Sequence, residues 1–210
     1  MLDARRAGFA TRSAYARARE LELDRALQAA AVLPARRRAL GITDQEAVEH
    51  LPELLTLLEE ELRSVAAVVT HPYEGGHPDH DACAFIVQCA CERLRREGRA
   101  APVRLEFASY HARDGGVVKG VFWPAAGCPE RAIALSDHQL ARKQAALAEF
   151  ATQKDLIADF PLQPERLRPA PQYDFTQPPP PGEVLYDRFG WRITGQLWRE
   201  RARVALEHIR

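Results

Sequence analysis

The chain lacks most of the features that would assign it to a specialised class at once. It has no net charge, because 29 Lys and Arg balance 29 Asp and Glu. That removes the electrostatic case for a dedicated nucleic-acid binder, which relies on a basic excess. No apolar run approaches the ~18–20 residues needed to span a bilayer. The opening, Met1-Leu2-Asp3-Ala4-Arg5-Arg6, has no apolar stretch of the secretory kind. Only four cysteines occur, at 83, 89, 91 and 128, and none forms a Cys-x-x-Cys pair. Free thiols in a reducing, cytoplasmic setting are therefore expected, with Cys83, Cys89 and Cys91 filling space between helix and sheet. There is no internal repeat.

What is present reads as a globular protein. Hydrophobic residues make up 46% and charged residues 28% of 210 residues, which excludes global disorder. A chain of this length hides roughly 70% of its unfolded surface, enough for a core without staples. Charge is uneven: residues 1–40 carry nine Arg against four acids, and residues 41–62 carry seven acids and no Lys or Arg. These read as solvated helix faces of opposite sign.

Periodicity predicts a helix over 13–31, with Tyr15, Leu21, Leu27 and several alanines inward. Thr43-x-x-Glu46 reads as a capping box and Pro52 suits a first helical turn, ahead of Leu51, Leu54, Leu55, Leu58 and Leu62 at helical spacing. Val65–Thr70 has no polar alternation, as in a strand buried on both faces. Pro78 opens a helix that runs to about Arg96 and stops at Gly98. Val103–Tyr110 and Val117–Trp123 read as strands about a turn at Gly115-Gly116. Ser136-x-x-Gln139 caps a helix over 137–158, with Leu140, Leu147, Phe150 and Ile157 inward. Residues 161–181 hold eight of the 15 prolines, which excludes helix or central strand. Tyr173 and Phe175 favour a packed arm there. A helix over 194–209 closes the chain, with Trp198 on its apolar face. The expected architecture is α/β, a Rossmann-like layered fold with a mostly parallel sheet. A core over 1–160 carries an arm and helix over 161–210.

The chemistry concentrates in Thr70–Ala82, between a strand and a helix, where parallel sheets bind ligands. Three histidines (His71, His77, His80) and three carboxylates (Glu74, Asp79, Asp81) fall within residues 71–81. Imidazole and carboxylate together suit zinc or a similar cation. Gly75 and Gly76 allow positive φ and close backbone approach. Pro78 at the first helical position puts His80 in the first turn. There the helix dipole disfavours its protonation and favours an anion. Asp79 and Asp81 could orient the imidazoles. On the residues alone a capped loop without metal explains the same pattern, and both readings stay open. Local residues that could complete a site are His71, Glu74, Asp81 and, from a strand end, His111. Trp123 and Trp191 could line a pocket and stack on a ligand ring.

The run His71-Pro-Tyr-Glu-Gly-Gly-His77-Pro-Asp-His80-Asp-Ala resembles the second motif of the LmbE-like, or PIG-L, zinc-dependent de-N-acetylases. Lys143, Thr152-Gln153, Glu165-Arg166-Leu-Arg168-Pro-Ala-Pro171, Tyr173-Asp-Phe175, Tyr186 and Phe189-Gly190-Trp191 extend the resemblance. It implies hydrolysis of the acetamide of an N-acetylated amino sugar or glycoconjugate, with Zn2+ or another divalent cation as cofactor. By that resemblance His80 is the metal ligand, His77 stabilises the oxyanion and Asp79 supports them. Arg17, in Arg17-Ala-Arg19-Glu20, resembles a helix pattern of the family that reaches substrate, and also suits a surface ion pair. The family's His-Pro-Asp-Asp-Glu-like motif, which brings two metal ligands and the general base, has no counterpart before the first helix. The resemblance therefore implies that the first βα unit is missing here, either because the start is assigned too late or because the protein is truncated, with impaired activity and an exposed apolar edge that promotes self-association in the short form. The alternative is a non-catalytic glycan-binding or interaction protein built on the same fold.

Overall fold

The computed structural model describes residue 5, residues 7–33 and residues 37–209. The chain's opening, apart from Arg5, lies outside the described residues, so the absence of a secretory signal is a sequence expectation only. The chain forms two compact units, Met1–Leu40 with Ala134–Pro164, and Gly41–Ile133 with Glu165–Arg210. No helix among the described residues is long and apolar enough to cross a membrane.

In the first unit, helix α1 (Arg12–Ala29) begins at Thr11, whose Oγ1 accepts the Ala14 amide at 3.1 Å. Its buried stripe is Glu22 and Ala26, not the expected leucines. Leu21 is 50% exposed. The cause is Glu22, whose carboxylate accepts both the Thr152 amide (2.8 Å) and the Thr152 hydroxyl (2.6 Å). That capture turns Leu21, one residue and ~100° away on a helix, outward. Arg17 is exposed on the same helix. Helix α2 of this unit, Asp137–Ala148, starts with the expected capping box, Ser136 and Gln139 bonding reciprocally. It stops well short of residue 158. The Thr152 amide is held by Glu22, so it cannot continue the ladder, and the chain passes through a 3-10 turn, Ala151–Gln153, into the short α3, Lys154–Ile157.

In the second unit a 3-10 turn, Ala47–His50, leads into α4, Leu51–Leu62, with Pro52 in its first turn. Leu51, Leu54, Leu55 and Leu62 are buried, as their spacing predicts. Glu46 makes no side-chain cap, so Thr43–Glu46 is not a capping box. The Asp79 carboxylate caps this turn instead, accepting the amides of Gln45 (2.7 Å) and Ala47 (3.1 Å).

Strand β1 (Ala67–Thr70), helix α5 (Pro78–Arg96) and strand β2 (Val103–Phe107) form a parallel βαβ unit. Helix α5 is well punctuated. Pro78 stands in its first turn, Arg93, Arg95 and Arg96 occupy its last turn, and Gly98 follows at φ 70°, its amide bonding to Arg95 O. Tyr110–Arg113 (β3) and Gly116–Lys119 (β4) make a separate antiparallel hairpin. Gly120, at φ 71°, ends β4 earlier than the expected Trp123.

The main sheet has the order β1-β2-β6-β5, with β5 at Arg131–Ile133 and β6 at Glu165–Pro169. Only β1 and β2 are parallel; β2–β6 and β5–β6 are antiparallel. The expected mostly parallel sheet is therefore corrected. Alternation of helix and strand holds for a single crossover, after which the chain returns through the proline-rich segment as an inner strand. The exclusion of a central strand from 161–181 fails for a local reason. Pro164 precedes β6, Pro169 is its last residue, and no proline lies at 165–168. The remainder of the segment is the packed arm, with Phe175 in the core. Strand β1 is not buried on both faces: Val69 is 52% exposed. Among the described residues, β1 stands at the sheet's end with one face covered.

The core of this unit gathers α4, α5, the arm and the last helix, α6 (Gly195–Ile209). Trp198 is fully buried against Tyr73, Phe85 and Phe175, and its Nε1 donates to Pro78 O at 3.0 Å. Cys89 and Cys91 lie in this core, but Cys83 is exposed, contrary to expectation, because it falls on the outer side of α5. All four cysteines are free thiols.

Candidate functional site

The loop that leaves β1 at Thr70 is fixed from two sides before it reaches α5. On one side lies a buried polar row across the sheet, Thr70, Glu106 and Arg168, in register on adjacent strands. Arg168 donates Nε to Glu106 Oε2 (2.9 Å) and Nη2 to Glu74 Oε1 (3.4 Å). Glu74 also accepts the Trp123 amide at 2.8 Å and faces His111 Nδ1 at 3.2 Å. Burial raises the Glu106 carboxyl to about 7, against the pull of the Arg168 guanidinium. On the other side Asp81, fully buried, accepts the Gly75 amide and the Tyr186 hydroxyl, each at 3.1 Å. Burial raises its carboxyl to about 8, with those two hydrogen bonds opposing the shift.

The two glycines serve different purposes. Gly75 takes φ 67°. Gly76 does not, but a Cβ there would stand 1.9 Å from Tyr110 O. One glycine supplies a left-handed turn and the other lets β3 pass over the loop.

His77 is the N-cap of α5, its Nδ1 accepting the Asp79 amide at 3.2 Å. Acceptance at Nδ1 assigns the proton of the neutral ring to Nε2. That nitrogen lies 3.7 Å from Asp44 Oδ1. His80 sits 5.1 Å from His77, centroid to centroid. Its Nδ1 is 3.4 Å from Ser109 Oγ. His71 stacks on it with ring centroids 3.7 Å apart and planes 8° from parallel. Burial, then the nearby His77 ring, lowers His71 to about 4. Burial, then His71 and His77, lowers His80 to about 2, so its ring stays a lone-pair donor at neutral pH. Trp191 meets His77 edge-on at 5.1 Å.

The sequence-expected residues thus separate into two groups. His71, His77 and His80 come together with Asp79 close by. Asp79 spends its carboxylate on the Gln45 and Ala47 amides and leaves His77 at 3.9 Å. Glu74, Asp81 and His111 belong to the buried frame, with His111 wholly enclosed. The sequence reading missed Asp44 and Ser109. Ser109 was open to inference, because it follows the end of β2 beside the end of β1. Asp44 carried no signal, because a fold between α4 and α5 brings it in.

Imidazole and carboxylate atoms of Asp44, His77 and Asp79 lie within 4.8 Å of one another, residue types that suit a divalent cation, although His77 Nδ1 is engaged as the helix cap and Asp79 by two amides; the His80 ring stands beside this group and outside it. Residues 3–91 match the family model described as PIG-L, GlcNAc-PI de-N-acetylase. That segment is PIG-L-like. The match ends at Cys91, so it contains the whole Thr70–Ala82 loop and leaves the likeness at 143–191 outside it. No curated protein and no solved structure matches the chain. The likeness of this segment suggests a hydrolase of the de-N-acetylase type.

Proposed function

We propose that this chain is a metal-dependent hydrolase that removes the acetyl group from an N-acetylated amino sugar or glycoconjugate. The observation that carries the reading is the PIG-L-like strand–loop–helix, in which the rings of His77 and His80 lie 5.1 Å apart. His80 would hold Zn2+ or another divalent cation through Nε2, because Nδ1 faces Ser109. The chemistry supplied by such a cation, when bound, is polarisation of the amide carbonyl and activation of water.

His77 presents Nε2–H, its Nδ1 being engaged as the helix cap. That proton is available to the oxyanion of a tetrahedral intermediate, a contribution of about 3–4 kcal/mol when aimed at the developing charge. The positive end of α5 adds to the same stabilisation. Asp79 keeps the loop before α4, and with it Asp44, against the first turn of α5. Trp191, edge-on to His77, offers an apolar wall for a sugar ring.

The test is titration of the full chain with Co2+ or Zn2+. Acetate release from N-acetylglucosamine compounds is followed at saturating metal. Binding that His80→Ala abolishes is expected, with release that His77→Ala lowers by about 10²–10³-fold. A chain that binds no divalent cation and releases no acetate overturns the reading.

A further inference from the structure

His71 is the one histidine of the loop that the proposed chemistry leaves without a task. It is the first residue beyond β1, and its ring contacts two others. Phe107, at the end of β2, packs against it at 4.5 Å and 59°. His80 stacks on it at 3.7 Å and 8°. Its Nδ1 is buried and has no hydrogen-bond partner.

This geometry separates two roles. The lone pair of an imidazole nitrogen lies in the plane of its ring. Two planes 8° from parallel and 3.7 Å apart direct their lone pairs side by side, so they do not converge on one ion. His71 therefore cannot share a cation with His80 in this arrangement. It can fix the plane in which the His80 lone pair points. Its other contacts are longer or tilted: Ser109 to Nδ1 at 3.4 Å, Tyr110 edge-on at 5.3 Å and His77 tilted at 5.1 Å.

We propose that His71 is a positioning residue, a flat platform seated on Phe107 that holds the His80 ring with Nε2 directed toward the cation. The role belongs to the ring face and not to a nitrogen, so a phenylalanine should perform it. Phenylalanine also removes the orphaned Nδ1. This inference rests on the proposed function for the identity of the ligand, but the orientation of the His80 ring is a separate matter.

The experiment compares wild type, His71→Ala and His71→Phe as full chains, with circular dichroism to check folding. Co2+ titration should show affinity about 10–100-fold weaker for His71→Ala, the usual cost of losing a group that orients a metal ligand. His71→Phe should restore it to within about threefold of wild type on the same scale. The ¹⁵N shifts of the His80 ring, read without metal, should report one tautomer in wild type and His71→Phe and a mixture in His71→Ala. Unchanged affinity and tautomer in His71→Ala overturn the proposal. So does a His71→Phe chain as weak as His71→Ala, because a nitrogen would then be required. Where wild type binds no Co2+, the metal-dependent function fails. The platform role is then decided by the ¹⁵N comparison alone: a tautomer change in His71→Ala restored in His71→Phe supports it, and no change overturns it.

Discussion

Replacing Gly76 by alanine would put a Cβ 1.9 Å from the Tyr110 carbonyl oxygen and 3.1 Å from its carbonyl carbon. Carbon and oxygen approach to about 3.3 Å in the closest favourable contacts, so about 1.4 Å of separation must be found. Neither side yields it easily. Tyr110 begins β3 and is paired with Lys119, and the preceding Ser109 accepts the Gly120 amide at 2.7 Å. Gly76 sits between Gly75, whose amide Asp81 accepts, and the helix cap His77. Overpacking of this kind costs about 1–3 kcal/mol, and backbone against backbone belongs at the upper end. For a chain of this length that lowers the melting temperature by about 6–12 °C. Gly98→Ala is the control. Gly98 has φ 70° and nothing within 4 Å of its added Cβ, so only the left-handed backbone cost of about 1–2 kcal/mol applies. Thermal melts by circular dichroism, with urea midpoints as a check, should rank Gly76→Ala below Gly98→Ala and both below wild type. A Gly76→Ala chain that melts within about 2 °C of wild type, less than the cost of 1 kcal/mol, would refute the close-approach argument.

Three further outcomes follow from the packing. Asp81 titrates at about 8 in the fold, against about 3.9 unfolded. The native state thus holds more protons between those values, and stability falls as pH rises through the window, by at most about 1.4 kcal/mol per pH unit. Asp81→Asn should flatten the difference between urea midpoints at pH 5 and pH 8, and an unaltered difference would contradict the assignment. Trp198→Ala empties a fully buried site and removes the donor to Pro78 O. It should lower unfolding free energy by about 3–5 kcal/mol in urea, and a loss under about 1 kcal/mol would count against this core. Glu22→Ala strips the Thr152 amide and hydroxyl of their acceptor. A local cost of about 1–3 kcal/mol should appear as faster hydrogen exchange at the Thr152 amide, and unchanged exchange would show that the contact does not form.

The sequence by itself determined the elements whose causes are local. Leucines at helical spacing in Leu51–Leu62, Pro78 and Gly98 at the ends of α5, and Ser136 with Gln139 at the start of α2 act within a turn or two of themselves. The histidine-rich loop was legible for the same reason, since strand, glycines and helix start are consecutive. Tertiary structure decided whatever depends on partners distant along the chain. Glu22 reaches residue 152 and turns Leu21 outward; Asp79 caps a turn some thirty residues earlier, near Asp44; and Glu165–Pro169 slips between β2 and β5 to make the sheet mostly antiparallel. Periodicity records which side of an element is apolar. Which strand lies beside which, and which ring lies on His80, is set by contacts whose sequence separation leaves no periodic trace.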